Sequence, residues 1–172
     1  MTPEAPGAAL GWAEFQGQRY RCALGRTGLA EDKREGDGHT PAGAFPLRRL
    51  WHRPDVYPAP PAPAGGLPVR AIAPDDGWCD EPTHPLYNRP VKLPFAPSHE
   101  DLWRTDGLYD LFIEVGYNDD PPVAGKGSAI FIHVARPGYA PTAGCVALAR
   151  ADLLALVAEL RAGDRVVIRA GQ

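Results

Sequence analysis

Twenty prolines and nineteen glycines are distributed along 172 residues, and that punctuation narrows the fold more than any other feature. Proline lacks the backbone N–H that a helix or a central strand needs, and glycine is costly to order within either. A chain interrupted so often suits short strands and ordered loops, not a bundle of long helices. The apolar segments between the breaks are too regular for a disordered chain. The length fits one domain, taken as residues 1–172, with room for a real core.

The segments read accordingly. Residues 9–15 and 18–24 predict two short strands with Gly17 at a tight turn, the second alternating polar and apolar from Arg19 to Leu24. Residues 25–40 are charged, glycine-rich and without periodicity, and read as a loop. Strands are predicted over 43–51, 67–73, 108–115 and 128–135. Residues 53–66 are crowded with prolines and read as an extended surface loop. Residues 75–103 are long and irregular, and such a loop within a compact domain is usually functional. Near the end, Leu153, Leu154, Leu156, Val157 and Leu160 repeat at helical spacing. They predict a helix over 150–161 that Gly163 closes, before a last strand over 164–170.

The composition excludes several classes. Net charge is −3 with both signs interspersed, so no basic stripe offers a nucleic-acid surface. No stretch is apolar enough to span a membrane. The first residues, Met1-Thr-Pro-Glu-Ala-Pro-Gly, show neither the basic nor the hydrophobic region of a secretory signal. Three cysteines, Cys22, Cys79 and Cys145, argue against a full disulfide framework. No CxxC or HxxxH spacing calls for zinc, and nothing in the chain calls for a metal or cofactor.

One run carries reactive chemistry: Gly127-Ser-Ala-Ile-Phe-Ile-His133, a loop with Pro137, Gly138 and Pro141, then Thr142-Ala-Gly144-Cys145. A strand rises into the histidine and a second apolar stretch follows the cysteine. Adjacent strands joined by such a loop can bring together residues twelve positions apart. A thiol beside an imidazole is a nucleophile with its own base, and the thiolate is the form that attacks. Gly144 permits close backbone approach, so N–H groups around Ala143 and Gly144 are candidates to face an oxyanion.

These residues resemble the catalytic domain of the L,D-transpeptidases (YkuD type), whose members carry a strand histidine, a loop, and a Ser/Thr-x-Gly-Cys segment. His133, Thr142, Gly144 and Cys145 match it. A second block, Gly36-Asp-Gly-His-Thr40-Pro41-Ala-Gly43-Ala-Phe45, is similar to the family's Thr-Pro-x-Gly-x-Phe segment and lies about 100 residues earlier, in the expected order. The resemblance covers nearly the whole chain. Two positions depart from it: Ala143, where many members have histidine, and Ala147, where many have asparagine or arginine. It implies a mainly β fold, a curved mixed β-sandwich with one main helix near the C-terminus. It implies peptidoglycan stem peptides as partners, and a Cys145 thioester that an acceptor amine resolves into a diaminopimelate–diaminopimelate or L-alanine–diaminopimelate cross-link. It also implies a periplasmic or envelope location, despite the absence of a visible signal.

The remaining polar residues are weighed against plainer roles. Tyr87, Asn88, His99 beside Glu100, and Tyr117-Asn118-Asp119 sit on loops and are candidates for substrate contact, although such residues also build turns. Thr142 is a candidate for substrate contact or for bracing the cysteine loop. Lys33, Glu35 and Asp37 read as a solvated turn. Cys22 and Cys79 read as structural thiols, and Trp78 as a cleft wall or a loop anchor. Two other functions fit the residues: a Cys/His hydrolase of peptidoglycan (L,D-carboxypeptidase or amidase), and a non-catalytic wall-binding module or thiol metal site.

Overall fold

The computed structural model describes residues 1–59 and 61–169, so Pro60 in the proline-rich loop and Ala170 at the expected end of the last strand lie outside the described residues. In chain order the elements are β1 (Thr2–Pro3), β2 (Leu10–Phe15), β3 (Gln18–Ala23), β4 (Leu29–Ala30), β5 (Thr40–Pro41), β6 (Gly43–His52), β7 (Val69–Ala71), β8 (Asp76–Cys79), β9 (Arg89–Lys92), β10 (His99–Asp101), β11 (Leu111–Val115), β12 (Phe131–Val134), β13 (Val146–Leu148), α1 (Arg150–Glu159) and β14 (Arg165–Ile168). The fold is mainly β, with a single α-helix near the C-terminus among the described residues.

The main sheet runs β1-β2-β3-β13-β12-β11-β6-β14, with β7 also beside β6. Its pairs are antiparallel except β12–β13 and β6–β7. The β2–β3 hairpin closes on Gln16 and Gly17, both at positive φ (48° and 79°), and this mirror-image turn matches the strand twist. A second sheet, β10-β8-β9, lies within residues 75–103. The segment expected to be irregular is therefore a small sheet of three- and four-residue strands, too short to leave a period in the sequence. Within the expected loop over 25–40, β4 and β5 pair in parallel.

Alternation along the central strands divides the core in two, because successive side chains of a strand point to opposite faces. Leu111, Ile113, Val115, Ile132, Val134, Val146 and Leu148 face one way and pack with Leu153, Leu156 and Val157 of α1 and with β2, β3 and β14. Phe112, Phe131 and Cys145 face the other way, into an aromatic layer with Trp51, Trp78 and Tyr109 beneath the small sheet. Phe112 lies 4.5 Å from Phe131 and 5.6 Å from Trp51, centroid to centroid, the latter pair stacked. Both faces are buried, so β11 and β12 show no polar–apolar alternation and are apolar but for Glu114 and His133.

Several expected bounds contract for local reasons. The strand over 128–135 begins only at Phe131, because Gly127 and Ala129 take positive φ (100° and 52°). The helix over 150–161 ends at Glu159, where the Leu160 N–H returns to the Val157 carbonyl, and Gly163 at φ 92° turns the chain into β14.

Removing the centre of the aromatic layer tests this division. Phe112→Ala is expected to cost about 3–5 kcal/mol in urea unfolding, the range for emptying a fully buried aromatic site. A loss under ~1 kcal/mol would show that the layer is not packed as described.

Candidate functional site

The register between β12 and β13 decides which face carries the candidate chemistry. Ile132 pairs with Val146 and His133 with Ala147, in parallel. His133 and Ala147 therefore share the aromatic face with Phe131 and Cys145. Cys145 is offset from His133 by one two-residue step on the neighbouring strand, roughly 8 Å between α-carbons from strand spacing and rise. Both side chains line one cleft of about 260 Å³, together with Glu100, Arg104, Tyr109 and Thr142. Ala143 and Ala147 also border it, so its floor is low where larger side chains would stand.

The thiol's surroundings are specific. Cys145 Sγ donates to the Ala129 carbonyl at 3.2 Å and accepts from the Phe131 N–H at 3.4 Å. The thiol's bond goes to the backbone of the preceding strand, not to His133. Burial, then the Glu100 carboxyl, push Cys145 up to about 12, against the opposing pull of the Phe131 N–H and the Lys33 charge. Burial pushes His133 down to about 4, against the Val134 carbonyl. Burial thus favours the neutral thiol and the neutral imidazole. His133 Nδ1 donates to the Val134 carbonyl at 2.9 Å, so that carbonyl orients the ring and the lone pair is left on Nε2.

The cysteine loop is braced from two directions. Thr142 is tied by its backbone to the end of β3, its N–H to the Leu24 carbonyl and its carbonyl to the Arg26 N–H, each at 2.9 Å. Its hydroxyl donates to the Cys145 carbonyl at 2.6 Å and accepts from the Gly144 N–H at 3.1 Å. Thr40, fully buried in β5, donates to the same Cys145 carbonyl at 3.3 Å and accepts from the Gly25 N–H at 2.8 Å. The Thr-Pro block and the cysteine block meet at this carbonyl. Gly144, at φ 144°, is required because a β-carbon there would stand 2.8 Å from the His39 carbonyl. The close approach it permits is to the protein's own backbone, and its N–H is already engaged by Thr142.

The other polar candidates mostly build the scaffold around this loop. Asn88 is buried with both ends of its amide used: its carbonyl oxygen accepts from Trp78 Nε1 at 2.9 Å and the Ala129 N–H at 3.0 Å, and its nitrogen donates to the Tyr117 and Asn118 carbonyls. It thereby holds Ala129 in a left-handed conformation that costs a non-glycine residue roughly 1–2 kcal/mol. That conformation aims the Ala129 carbonyl at the thiol. Trp78 is a buried anchor of this layer, 5.2 Å from Phe131. Tyr87 donates to Glu35 at 2.5 Å and accepts from the Gly127 N–H at 3.0 Å, and Ser128 also donates to Glu35. Lys33 is 3% exposed and pairs with Asp37 at 2.9 Å, so the Lys33, Glu35 and Asp37 side chains are not a solvated cluster, although Arg34 and Gly36 between them are exposed. Burial pushes the Asp37 carboxyl up, but the Arg34 N–H, the Lys33 ammonium and the His39 N–H outweigh it and hold the group at about 2.

His99 Nδ1 donates to the Pro97 carbonyl, and its ring packs on Phe95. Tyr117 donates to the Lys126 carbonyl, Asn118 clasps Val123 and Gly127, and Asp119 takes Arg48 in a two-point pair. Of the residues expected to touch substrate, Thr142 lines the cleft, whereas Tyr87, Asn88, His99, Tyr117, Asn118 and Asp119 do not. Arg104, Tyr109 and Arg136 do line it, without any motif to mark them. Only Arg136, just beyond the histidine strand, had a positional signal. The Tyr109 ring stands 5.5 Å from that of His133, and its hydroxyl donates to Glu100 at 2.8 Å.

A family model described as the L,D-transpeptidase catalytic domain (YkuD) matches residues 14–168. The chain belongs to the L,D-transpeptidase catalytic-domain family. No curated protein and no solved structure matches it. The match spans every element from the last residues of β2 to β14 and includes both the Thr40 and Cys145 segments. It supports an L,D-transpeptidase-type enzyme acting on peptidoglycan.

The charge state of this L,D-transpeptidase domain can be read directly. A thiol at about 12 ionises more as pH rises, so iodoacetamide capture of Cys145, followed by peptide mass spectrometry, should climb through about pH 10. A plateau reached below about pH 8 would instead reveal a preformed thiolate–imidazolium pair.

Proposed function

We propose that the protein is a cysteine-dependent L,D-transpeptidase that cross-links peptidoglycan stem peptides through a thioester at Cys145. The observation that carries the reading is the shared cleft: the register of β12 and β13 puts the thiol and the imidazole on one face, opening onto the same 260 Å³ space. Because the resting pair is neutral, the thiol proton passes to His133 Nε2 as sulfur attacks the donor carbonyl. Negative charge developing on the oxyanion then stabilises the imidazolium that burial disfavours at rest. With the Gly144 N–H committed to Thr142, the N–H groups of Ala143 and Cys145 are the oxyanion donors of this scheme.

Collapse of the tetrahedral intermediate expels the donor's amine, which takes the proton back from His133. The acceptor amine then attacks the thioester, C–S cleavage returns the thiolate, and His133 relays the amine's proton to it. Ala143 and Ala147 leave room on the cleft floor, which suits either a diaminopimelate or an L-alanine donor carbonyl. The substrate places the enzyme's action in the cell envelope.

Cys145→Ala should abolish product formation while leaving the unfolding transition close to that of the wild type, since removing a covalent nucleophile closes the whole pathway. Mass spectrometry of muropeptides incubated with each protein checks this and identifies the cross-link. Cross-linked product from the folded variant would sink the nucleophile assignment. A wild type that trims stem peptides without joining them would assign the same thioester to a carboxypeptidase or amidase.

A carbapenem-type β-lactam supplies a second test. Its strained carbonyl is an acyl donor, so one covalent adduct per chain is expected by intact mass, absent in Cys145→Ala. Cross-linking without an adduct would point to a pocket shaped for a donor carbonyl nearer the sugar.

A further inference from the structure

The transferase reading leaves a proton unaccounted for, and the cleft holds a group that suits it. An acceptor amine of lysine-like basicity (pKa about 10) reaches the enzyme at neutral pH as an ammonium. It must lose one proton before its lone pair can attack and a second as the amide forms. His133 has one free nitrogen, since Nδ1 is committed to the Val134 carbonyl. Water, the competing nucleophile, needs only one proton removed.

Glu100 is the one carboxyl group among the described residues lining the cleft with Cys145 and His133. It projects from β10, one of the two edge strands of the small sheet that covers the aromatic layer. Tyr109 fixes it by a single hydrogen bond to Oε2, and the same Tyr109 ring packs on His133. No cation neutralises it within ion-pairing distance among the described residues. Arg104, which lines the same cleft and whose charge reaches Glu100, is turned onto Asp106, with Nε at 3.0 Å from Oδ1. A carboxyl group without a cationic partner therefore lines the space where the acyl group is expected, and because burial raises it, an arriving cation is what would favour its ionised form.

Resting on the transpeptidase reading above, we infer that Glu100 is the acceptor-amine site: its carboxylate pairs with the incoming ammonium, takes one proton from it, and delivers a neutral amine to the Cys145 thioester. The amine nitrogen forms the new C–N bond as the C–S bond breaks, and its second proton passes through His133 to the thiolate. Glu100 then returns its proton to solvent. Burial, which raises the carboxyl of Glu100, makes it a better acceptor for that proton. The site selects basic amines over water and so biases the enzyme towards transfer.

The test is the partition of the thioester. The full chain is acylated with a stem-peptide donor and supplied with a peptide bearing a diaminopimelate amine, and cross-linked and hydrolysed donor are counted by mass spectrometry. Both products come from the same thioester, so their ratio is independent of how fast it forms. Glu100→Gln is expected to lower the ratio at least about tenfold near pH 7, and to recover relative to wild type near pH 9–10, where the amine arrives neutral. Glu100→Asp, which keeps the charge at shorter reach, should fall between the two. A ratio unchanged in Glu100→Gln overturns the inference, as does a deficit that persists at high pH. A wild type that forms the thioester but only hydrolyses it overturns the transferase reading and this inference together. A wild type that forms no thioester overturns the assignment of Cys145 itself, and the acceptor site with it.

Discussion

The parallel pairing of β12 with β13 is the constraint on which the site depends. Side chains of a strand alternate between faces, so a slip of one residue in this register would turn Cys145 into the aliphatic core against α1. Parallel neighbours also need a crossover, and here residues 135–145 make it without an α-helix, through a turn at Pro137–Tyr139. A crossover of that kind has little regular hydrogen bonding of its own. Its end is fixed from outside, by the Thr142 backbone on β3 and by the Thr142 and Thr40 hydroxyls on the Cys145 carbonyl.

This explains which parts of the molecule were legible in the sequence. The strands around His133 and the helix before β14 showed because their apolar runs and helical spacing are local signals. The pairing of the Thr-Pro block with the cysteine block was legible as a resemblance, and its physical content is one shared carbonyl between residues 105 positions apart. The small sheet over 76–101 was illegible because its strands are too short for a period and two of its edges are polar. Asn88 and Tyr87 looked like ligand contacts for the same reason that they make good braces. A side chain with several donors and acceptors satisfies either role, and burial, which sequence does not display, decides between them.

The braces act through one another. Asn88 holds Ala129 in its disfavoured conformation, and Ala129 positions the thiol. Tyr87 and Ser128 converge on Glu35, while the His39 carbonyl and Lys33, itself paired with Asp37, lie against Gly144. Breaking one partner of such a buried network exposes the others to the full cost of desolvation, so its members are expected to couple strongly in double-mutant cycles. The network sits behind the cleft wall, so its contribution is geometric: it fixes the two segments between which the thiol lies.

Burial has an electrostatic consequence for the chemistry. Burial disfavours separated charges, which favours the protonated thiol and the neutral imidazole. On the proposed mechanism, such a thiol would stay unreactive until a substrate brings a carbonyl whose developing oxyanion the backbone could hold. The same burial strengthens every interaction with charge that does enter, including that of an ammonium with the carboxyl group held by Tyr109. Burial therefore favours the neutral form of each group in the cleft, and on the proposal made above it is the pairing of the ammonium with the Glu100 carboxyl that offsets the cost of bringing charge into it.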